Sequence, residues 1–154
     1  MSKAFTKESD HGASERLPDR AVPPDANLVT ATGLAMIGEE IAKLREEQAA
    51  TAADDGDALA RISRELRYWT SRQATAQLTE LTAGNTVQFG STVTFSRSDG
   101  RTQTFKIVGV DEANPAHGTL SYISPAAKAL LGRAVGDEVQ IGATHAEIID
   151  LKYD

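Results

Sequence analysis

Two stretches of the chain repeat apolar residues at helical spacing. The first stripe consists of Leu34, Ile37, Ile41 and Leu44. The second stripe consists of Leu59, Ile62, Leu66 and Trp69. Intervals of three and four residues are typical of a helix with one buried face, and Thr30 stands just before the first stripe as a suitable N-cap. The pattern therefore predicts two amphipathic helices.

A short polar segment, residues 51–57, separates the two stripes and contains three aspartates and a glycine. So short a connection favours an antiparallel helical hairpin. A parallel dimer through either helix, or two helices of a larger bundle, also fits the stripes. Trp69 ends the second stripe, and we expect it to lie in the core at the base of the hairpin.

From Gly84 onwards the spacing of apolar residues changes towards two, which is typical of strands. Val93 and Phe95 alternate with polar residues, and Ser98-Asp99-Gly100 predicts a hairpin turn before a strand that ends near Asp111. Further elements are predicted as a strand at 120–123, a helix at 125–131 and strands at 138–141 and 146–153. The result is a small antiparallel sheet with one helix, so the fold class is α+β.

The chain divides into three predicted regions. Residues 1–28 carry both charge signs, three of the five prolines and few large apolar side chains, so they bury too little surface to offset the entropy of ordering. We expect a disordered tail there. The coiled-coil hairpin is assigned to residues 29–82 and the β domain to residues 83–154.

Composition and charge exclude several classes of function. The chain has 154 residues and no cysteine, which excludes disulfides and thiolate metal sites, and His11, His117 and His145 lack any ligand spacing. A formal net charge of −6 argues against non-specific binding of nucleic acid and favours a protein partner over specific DNA binding. No run of about 18 apolar residues is present, and the N-terminus lacks the apolar core of a signal peptide. We expect a cytoplasmic protein with no membrane contact.

Several motifs, in order along the chain, are similar to those of one bacterial family. They are VTATGL at 29–34, RELRYWTSR at 64–72, FGSTVTF at 89–95, FKIVGVDE at 105–112 and SYISPAAKALL at 121–131. Together they resemble the GreA/GreB transcription factors, closer to GreB than to GreA, over about residues 29–153. The resemblance implies a monomer that binds bacterial RNA polymerase. In that family the coiled-coil hairpin enters the secondary channel of the polymerase, and a C-terminal domain with an FKBP-like fold docks at the rim of the channel, so the resemblance implies the same arrangement here.

The resemblance also implies which residues serve the polymerase. The side of the C-terminal domain that faces the rim is expected to include Asp111, Glu112, Ser124, Pro125 and Ala127. Loop and helix-cap chemistry would explain the same residues without any partner. The FKBP-like fold also suggests a third function, a freestanding prolyl isomerase. A chain with 5% aromatic residues, however, offers little to line the substrate pocket of such an enzyme.

Acidic residues at the hairpin tip carry the family's chemistry. In the family they help to hold a Mg²⁺ ion in the polymerase active site, which then cleaves backtracked RNA, so the factor has no catalytic residues of its own and binds no cofactor stably. Asp54, Asp55 and Asp57 are the candidates here, because a hard cation prefers carboxylate oxygens. Alternatively, the aspartates serve as turn and cap residues of the second helix.

The chain departs from the family at this tip. The usual tip motif, a Gly-Asp followed by Ser-Glu-Asn, is absent, and each arm looks shorter by roughly two turns, which is about 11 Å of reach. Metal–oxygen bonds are only about 2 Å long, so we expect a factor that occupies the channel without efficient cleavage. The alternative is an active cleavage factor that uses the tip aspartates.

A row of arginines on the second helix is a further candidate site. It consists of Arg61, Arg64, Arg67 and Arg72. Such a row could contact nascent RNA or an acidic polymerase surface, whereas a charged stripe on an exposed helix is usually only solvated.

Overall fold

The chain forms two compact units. A computed structural model describes residues 17–154. The first unit contains residues 17–24 and Ile37–Thr75, and the second contains Asp25–Met36 and Ala76–Asp154. The second unit thus includes the start of the first helix and the segment that follows the second helix, both of which the sequence assigned to the hairpin.

The predicted tail is only partly within this description. Residues 1–16 lie outside the described residues. Residues 17–27 form neither helix nor strand, yet they make specific contacts, since Arg20 pairs with Glu65 and Asn27 is 4% exposed. Residues 17–27 of the predicted tail therefore include side chains with specific partners in the structure.

The first predicted helix is α1, Ala31–Ala50. Thr30 Oγ1 accepts a hydrogen bond from the Gly33 N–H at 3.0 Å, which is the expected N-cap geometry. Within the predicted stripe, Ile37, Ile41 and Leu44 are buried and the first residue is half-buried. Helical periodicity therefore identified the buried face of α1 correctly.

The second predicted helix is α2, Gly56–Thr75, joined to α1 by residues 51–55. Ile62 is fully buried, but Trp69 is half-buried and so is less enclosed than the sequence predicted. The neighbouring Tyr68 is the more buried aromatic residue, at 6% exposure. The reason is that the Arg20 guanidinium lies over the Tyr68 ring, 3.7 Å from its centroid, and forms a cover that helical spacing cannot reveal.

The second unit is built on a five-stranded sheet with the order β5-β4-β3-β7-β6. The strands are β3 Thr92–Arg97, β4 Thr102–Val108, β5 Thr119–Ser121, β6 Glu138–Ile141 and β7 Thr144–Lys152. The predicted turn at Ser98-Asp99-Gly100 joins β3 and β4, and the predicted helix is α3, Pro125–Leu130. The α+β fold class is confirmed.

The core of the second unit lies between this sheet and α3. Phe95, Ile107, Leu130 and Ile148 are each at most 1% exposed and belong to one apolar cluster. These residues follow the period of two in the strands, and Ala127 and Leu130 mark the buried face of α3. The packed cluster therefore holds the helix on one face of the sheet.

One strand pairing differs from the predicted antiparallel sheet. β5 runs parallel to β4, with Val108 opposite Ser121. Between the two strands the chain passes through a short 3₁₀ helix, Pro115–His117, and returns to the end of the sheet at which β4 begins. Because the strands are parallel, the segments that follow them leave the sheet at the same end.

A second, smaller sheet was not predicted. β1, Leu28–Val29, pairs in parallel with β2, Gln77–Leu78. A side-chain Cβ placed on Gly109 would lie only 2.6 Å from the Leu28 carbonyl oxygen, so the β1 backbone lies directly against this glycine. Strands of two residues have no measurable period, which is why sequence reasoning missed them.

The close approach at Gly109 leads to a stability prediction. We expect Gly109→Ala to lower the free energy of unfolding by about 2 kcal/mol, because the new methyl group would push against backbone. Gly38→Ala is the matched control, since a Cβ there meets nothing nearer than 3.9 Å. In the middle of α1 it should raise the free energy of unfolding by about 0.5–1 kcal/mol. Urea unfolding of the two variants measures both effects, and equal stability would contradict the close contact.

Candidate functional site

The hairpin turn places the three candidate aspartates in different environments. Asp55 is the N-cap of α2, because its Oδ1 accepts a hydrogen bond from the Ala58 N–H at 3.2 Å and its carbonyl accepts one from Leu59 at 3.1 Å. Asp57 lies in the first turn of α2, where a negative charge complements the helix dipole. The predicted capping role is therefore confirmed for Asp55.

The tip aspartates do not form a metal site by themselves. Asp54 and Asp57 are exposed, and across residues 17–154 no group of three or more His, Asp or Glu side chains is arranged to hold a metal ion. Carboxylate oxygens do suit Mg²⁺, which is commonly held by one or two of them together with water. An ion bound here would therefore need its remaining ligands from water or from a partner.

The predicted arginine row is reduced to three members. Arg61 is exposed and pairs with Glu47 across the hairpin. Arg64 and Arg67 also lie on the accessible side of α2. Arg72 is only 2% exposed, so its predicted contact with RNA or polymerase is wrong for this structure. The accessible row is accordingly Arg61 and Arg67, which are exposed, together with Arg64, which is half-buried.

The second unit brings four predicted polymerase-facing residues to one end of its sheet. Asp111 and Glu112 follow β4, whereas Ser124 and Pro125 follow β5. The parallel pairing of these strands makes both segments leave the sheet on the same side. We call these four residues the strand-end surface. Pro125 is exposed and the other three are half-buried.

Two of these residues have clear structural roles. Glu112 accepts a hydrogen bond from Thr30 Oγ1, the same hydroxyl that caps α1. Ser124 caps α3, because its Oγ accepts a hydrogen bond from the Ala127 N–H at 3.2 Å. Loop and cap chemistry therefore explains Glu112 and Ser124 at least in part.

Ala127 does not belong to this surface. Its side chain is 0% exposed and lies in the apolar core beneath α3, so it cannot face a partner directly. Its neighbour Pro125, two residues earlier, is exposed. A helix turns by about 100° per residue, and this rotation places the two residues on different faces.

Sequence reasoning also missed residues that support the strand-end surface. The Tyr122 hydroxyl accepts a hydrogen bond from the Leu28 N–H at 3.3 Å, and the Phe89 ring meets the Tyr122 ring edge-on with centroids 5.5 Å apart. Tyr122 thus connects β1 to the segment that leads into α3. Both aromatic residues stand within recognisable motifs, but nothing in their spacing indicates this contact.

In the described part of the chain, no helix combines the length and the apolar character needed to cross a bilayer.

Fold and site together define a class: a two-unit α+β protein whose helical hairpin carries an acidic turn. A family model described as "Transcription elongation factor, GreA/GreB, C-term" matches residues 82–153. The chain is 38% identical over 117 residues to transcription elongation factor GreA of Desulfovibrio desulfuricans, covering 71% of each chain. It is 31% identical over 154 residues to GreA of Beijerinckia indica, covering 97% of this chain and 96% of that protein.

The chain therefore belongs to the GreA/GreB family of transcription elongation factors, as its motifs predicted. It is also 39% identical over 99 residues to GreB of Neisseria meningitidis serogroup A, covering 60% of this chain and 61% of that protein. Relatives of both names match at nearly the same identity. The predicted preference for GreB over GreA stays a prediction.

The cap geometry predicts different effects for adjacent aspartates. Asp55→Ala should lower the free energy of unfolding by about 1 kcal/mol, because α2 loses its N-cap. Asp54→Ala should change it by less than about 0.5 kcal/mol, as expected for an exposed residue. Asp55→Asn keeps an oxygen acceptor and should stay close to the parent. Thermal or urea unfolding distinguishes the three variants, and an Asp54→Ala loss as large as that of Asp55→Ala would contradict the assigned cap.

Proposed function

We propose that this protein binds bacterial RNA polymerase through the strand-end surface and inserts its helical hairpin into the secondary channel. It regulates elongation without efficient stimulation of transcript cleavage. The observation that carries the binding part of this proposal is the match to a GreA over 96% of that protein, a span that includes the hairpin as well as the β unit.

The protein acts in this proposal as an accessory factor and not as an enzyme. The exposed carboxylates at the hairpin turn, Asp54 and Asp57, can offer at most a few oxygen ligands to an ion. The chemistry that a shared Mg²⁺ would supply is the activation of a water for attack on the RNA backbone. The polymerase would provide the other ligands and the RNA.

The length of the hairpin argues against efficient cleavage. Each helix has 20 residues, which corresponds to about 30 Å at a rise of 1.5 Å per residue. A deficit of about two turns relative to the family would displace the turn by about 11 Å. A carboxylate so displaced cannot ligate the same ion, because Mg²⁺–oxygen bonds are about 2 Å long.

A second candidate is an active cleavage factor. The observation that favours it is the exposure of Asp54 and Asp57, neither of which is the N-cap of α2. Exposed carboxylates at a turn are available to an incoming ion, whereas the Asp55 carboxylate is already used by the helix.

RNA cleavage in a stalled, backtracked elongation complex tests the two candidates. The control is Asp54→Asn/Asp55→Asn/Asp57→Asn, which removes all three charges and keeps an acceptor at the cap. We expect the parent protein not to stimulate cleavage and, in excess, to inhibit cleavage by an active GreB. Cleavage that the parent stimulates and the control does not would establish the second candidate instead. Failure of the parent to bind polymerase at all would refute both.

Substitutions at two exposed prolines test the proposed docking surface. Pro125 opens α3 in the strand-end surface, and Pro115 opens the 3₁₀ helix that precedes β5, towards the other end of that strand. We expect Pro125→Glu to weaken polymerase binding by about tenfold, the effect of losing one strong interface contact. Pro115→Glu should bind like the parent. Equal affinity of the two variants, measured by fluorescence anisotropy or co-sedimentation, would place the docking surface elsewhere.

A further inference from the structure

Residues 17–20 lie along α2 and bind its arginine row. The Arg64 Nε donates a hydrogen bond to the Pro18 carbonyl at 2.7 Å. The Arg67 Nε pairs with the Asp19 carboxylate at 2.6 Å. Two of the three arginines of the accessible row therefore already bind a segment of the same chain. We call residues 17–20 the strap.

Arg20 anchors the strap by two contacts of its own. Its guanidinium pairs with Glu65 at 2.7 Å and lies over the Tyr68 ring at 3.7 Å from the centroid. The same guanidinium is 5.8 Å from the Trp69 ring. An arginine over an aromatic face is attracted by the ring quadrupole, and this contact explains why Tyr68 is buried on an otherwise accessible side of α2.

The strap extends to the acidic end of the hairpin. Its first residue, Leu17, lines a cavity of about 430 Å³ together with Ala53, Gly56 and Leu59, which belong to the turn and the start of α2. The strap thus follows α2 from Tyr68 towards the turn that carries the candidate aspartates.

Polar contacts rather than apolar burial hold the strap in place. Leu17 remains 38% exposed and Val22, just beyond the strap, 44% exposed. The side chains of Arg67 and Asp19 are 48% and 73% exposed. Ion pairs this exposed shift an equilibrium by about fivefold or less, and salt weakens them further. The pair between Arg67 and Asp19 therefore adds little to the free energy that holds the strap on α2.

We propose that the strap is autoinhibitory: it occupies the guanidinium groups of Arg64 and Arg67, so that an oxyanion-rich partner reaches them only after the strap has detached. This goes beyond the proposed function, because it concerns access to α2 rather than docking of the β unit. Guanidinium groups bind carboxylate, sulfate and phosphate oxygens with the same fork geometry, so the strap and such a partner compete for the same donors. The apparent affinity for the partner then falls in proportion to the fraction of molecules with a detached strap.

Limited trypsin digestion of the full chain measures detachment, because the Arg20–Ala21 bond is cleaved when the Arg20 side chain is released. We expect cleavage to be about fivefold faster in Asp19→Asn than in Asp25→Asn. Asp25 is an exposed residue beyond the strap, so its substitution makes the same charge change without touching Arg67. Equal cleavage rates in the two variants would overturn the proposal.

Heparin, a sulfated polyanion, measures the masking of the arginines. Arg20→Gln removes a positive charge, so simple charge attraction predicts weaker heparin binding, whereas release of the strap predicts binding up to about fivefold tighter. Arg101→Gln is the matched control, since Arg101 is an exposed arginine near an aspartate in the β hairpin. Trp69 is the single tryptophan, and its fluorescence reports binding directly.

Two outcomes decide the heparin experiment. Tighter heparin binding by Arg20→Gln than by Arg101→Gln supports the autoinhibitory strap, provided that adding Arg64→Gln and Arg67→Gln to the Arg20→Gln variant removes the increase in affinity. Binding by Arg20→Gln that is no tighter than that of Arg101→Gln would overturn it. Neither measurement contains polymerase, so the strap can fail while the proposed function stands, and the reverse also holds.

Discussion

The contact on which the small two-stranded sheet depends is the approach of the β1 backbone to Gly109, where no side chain fits between them. This contact fixes β1, and β1 in turn pairs with β2 through the hydrogen bonds Gln77 N–H to Asn27 and Thr79 N–H to Val29. α1 begins two residues after β1, and α2 ends two residues before β2. The ends of the hairpin are thereby held side by side by a parallel pair of only two residues each. This parallel pair is the root of the hairpin.

The start of α1 is fixed a second time by Glu112. Its carboxylate accepts the Thr30 hydroxyl, which itself caps the Gly33 N–H, and a Cβ on Gly33 would lie 2.6 Å from that carboxylate. A negative charge near a helix N-terminus is favourable because it faces unpaired N–H groups. Glu112 therefore combines a structural role with its place on the strand-end surface, and removing it would disturb α1 as well as any partner contact. Pro125, which is exposed, separates these two effects more cleanly.

Sequence patterns predicted the regular elements well and their pairings less well. Helical spacing found α1 and α2, and alternation around Phe95 found β3, because long elements repeat a period. Sequence patterns did not predict the strands β1 and β2, nor the parallel pairing of β5 with β4. Strands of two or three residues show no period, and their partners are far apart in the chain. Composition assigned Arg20 to a disordered tail, but its place is decided by the Tyr68 ring and Glu65 on another element. Among site residues, the cap role of Asp55 was readable from the turn sequence, whereas the burial of Arg72 and Ala127 depended on packing.

The parallel pair at the root also makes hairpin length independent of the rest of the fold. Removing equal numbers of residues from α1 and α2 would move the turn along the helices by about 1.5 Å per residue removed from each arm, while β1 and β2 keep their pairing. Whole turns can be lost in this way without exposing the buried stripe, because helical register is restored nearly every seven residues. Chains that share the same β unit can then differ in the number of their helical turns. The hairpin is an adjustable spacer, and its length is a heritable variable that selection can change separately from the β unit.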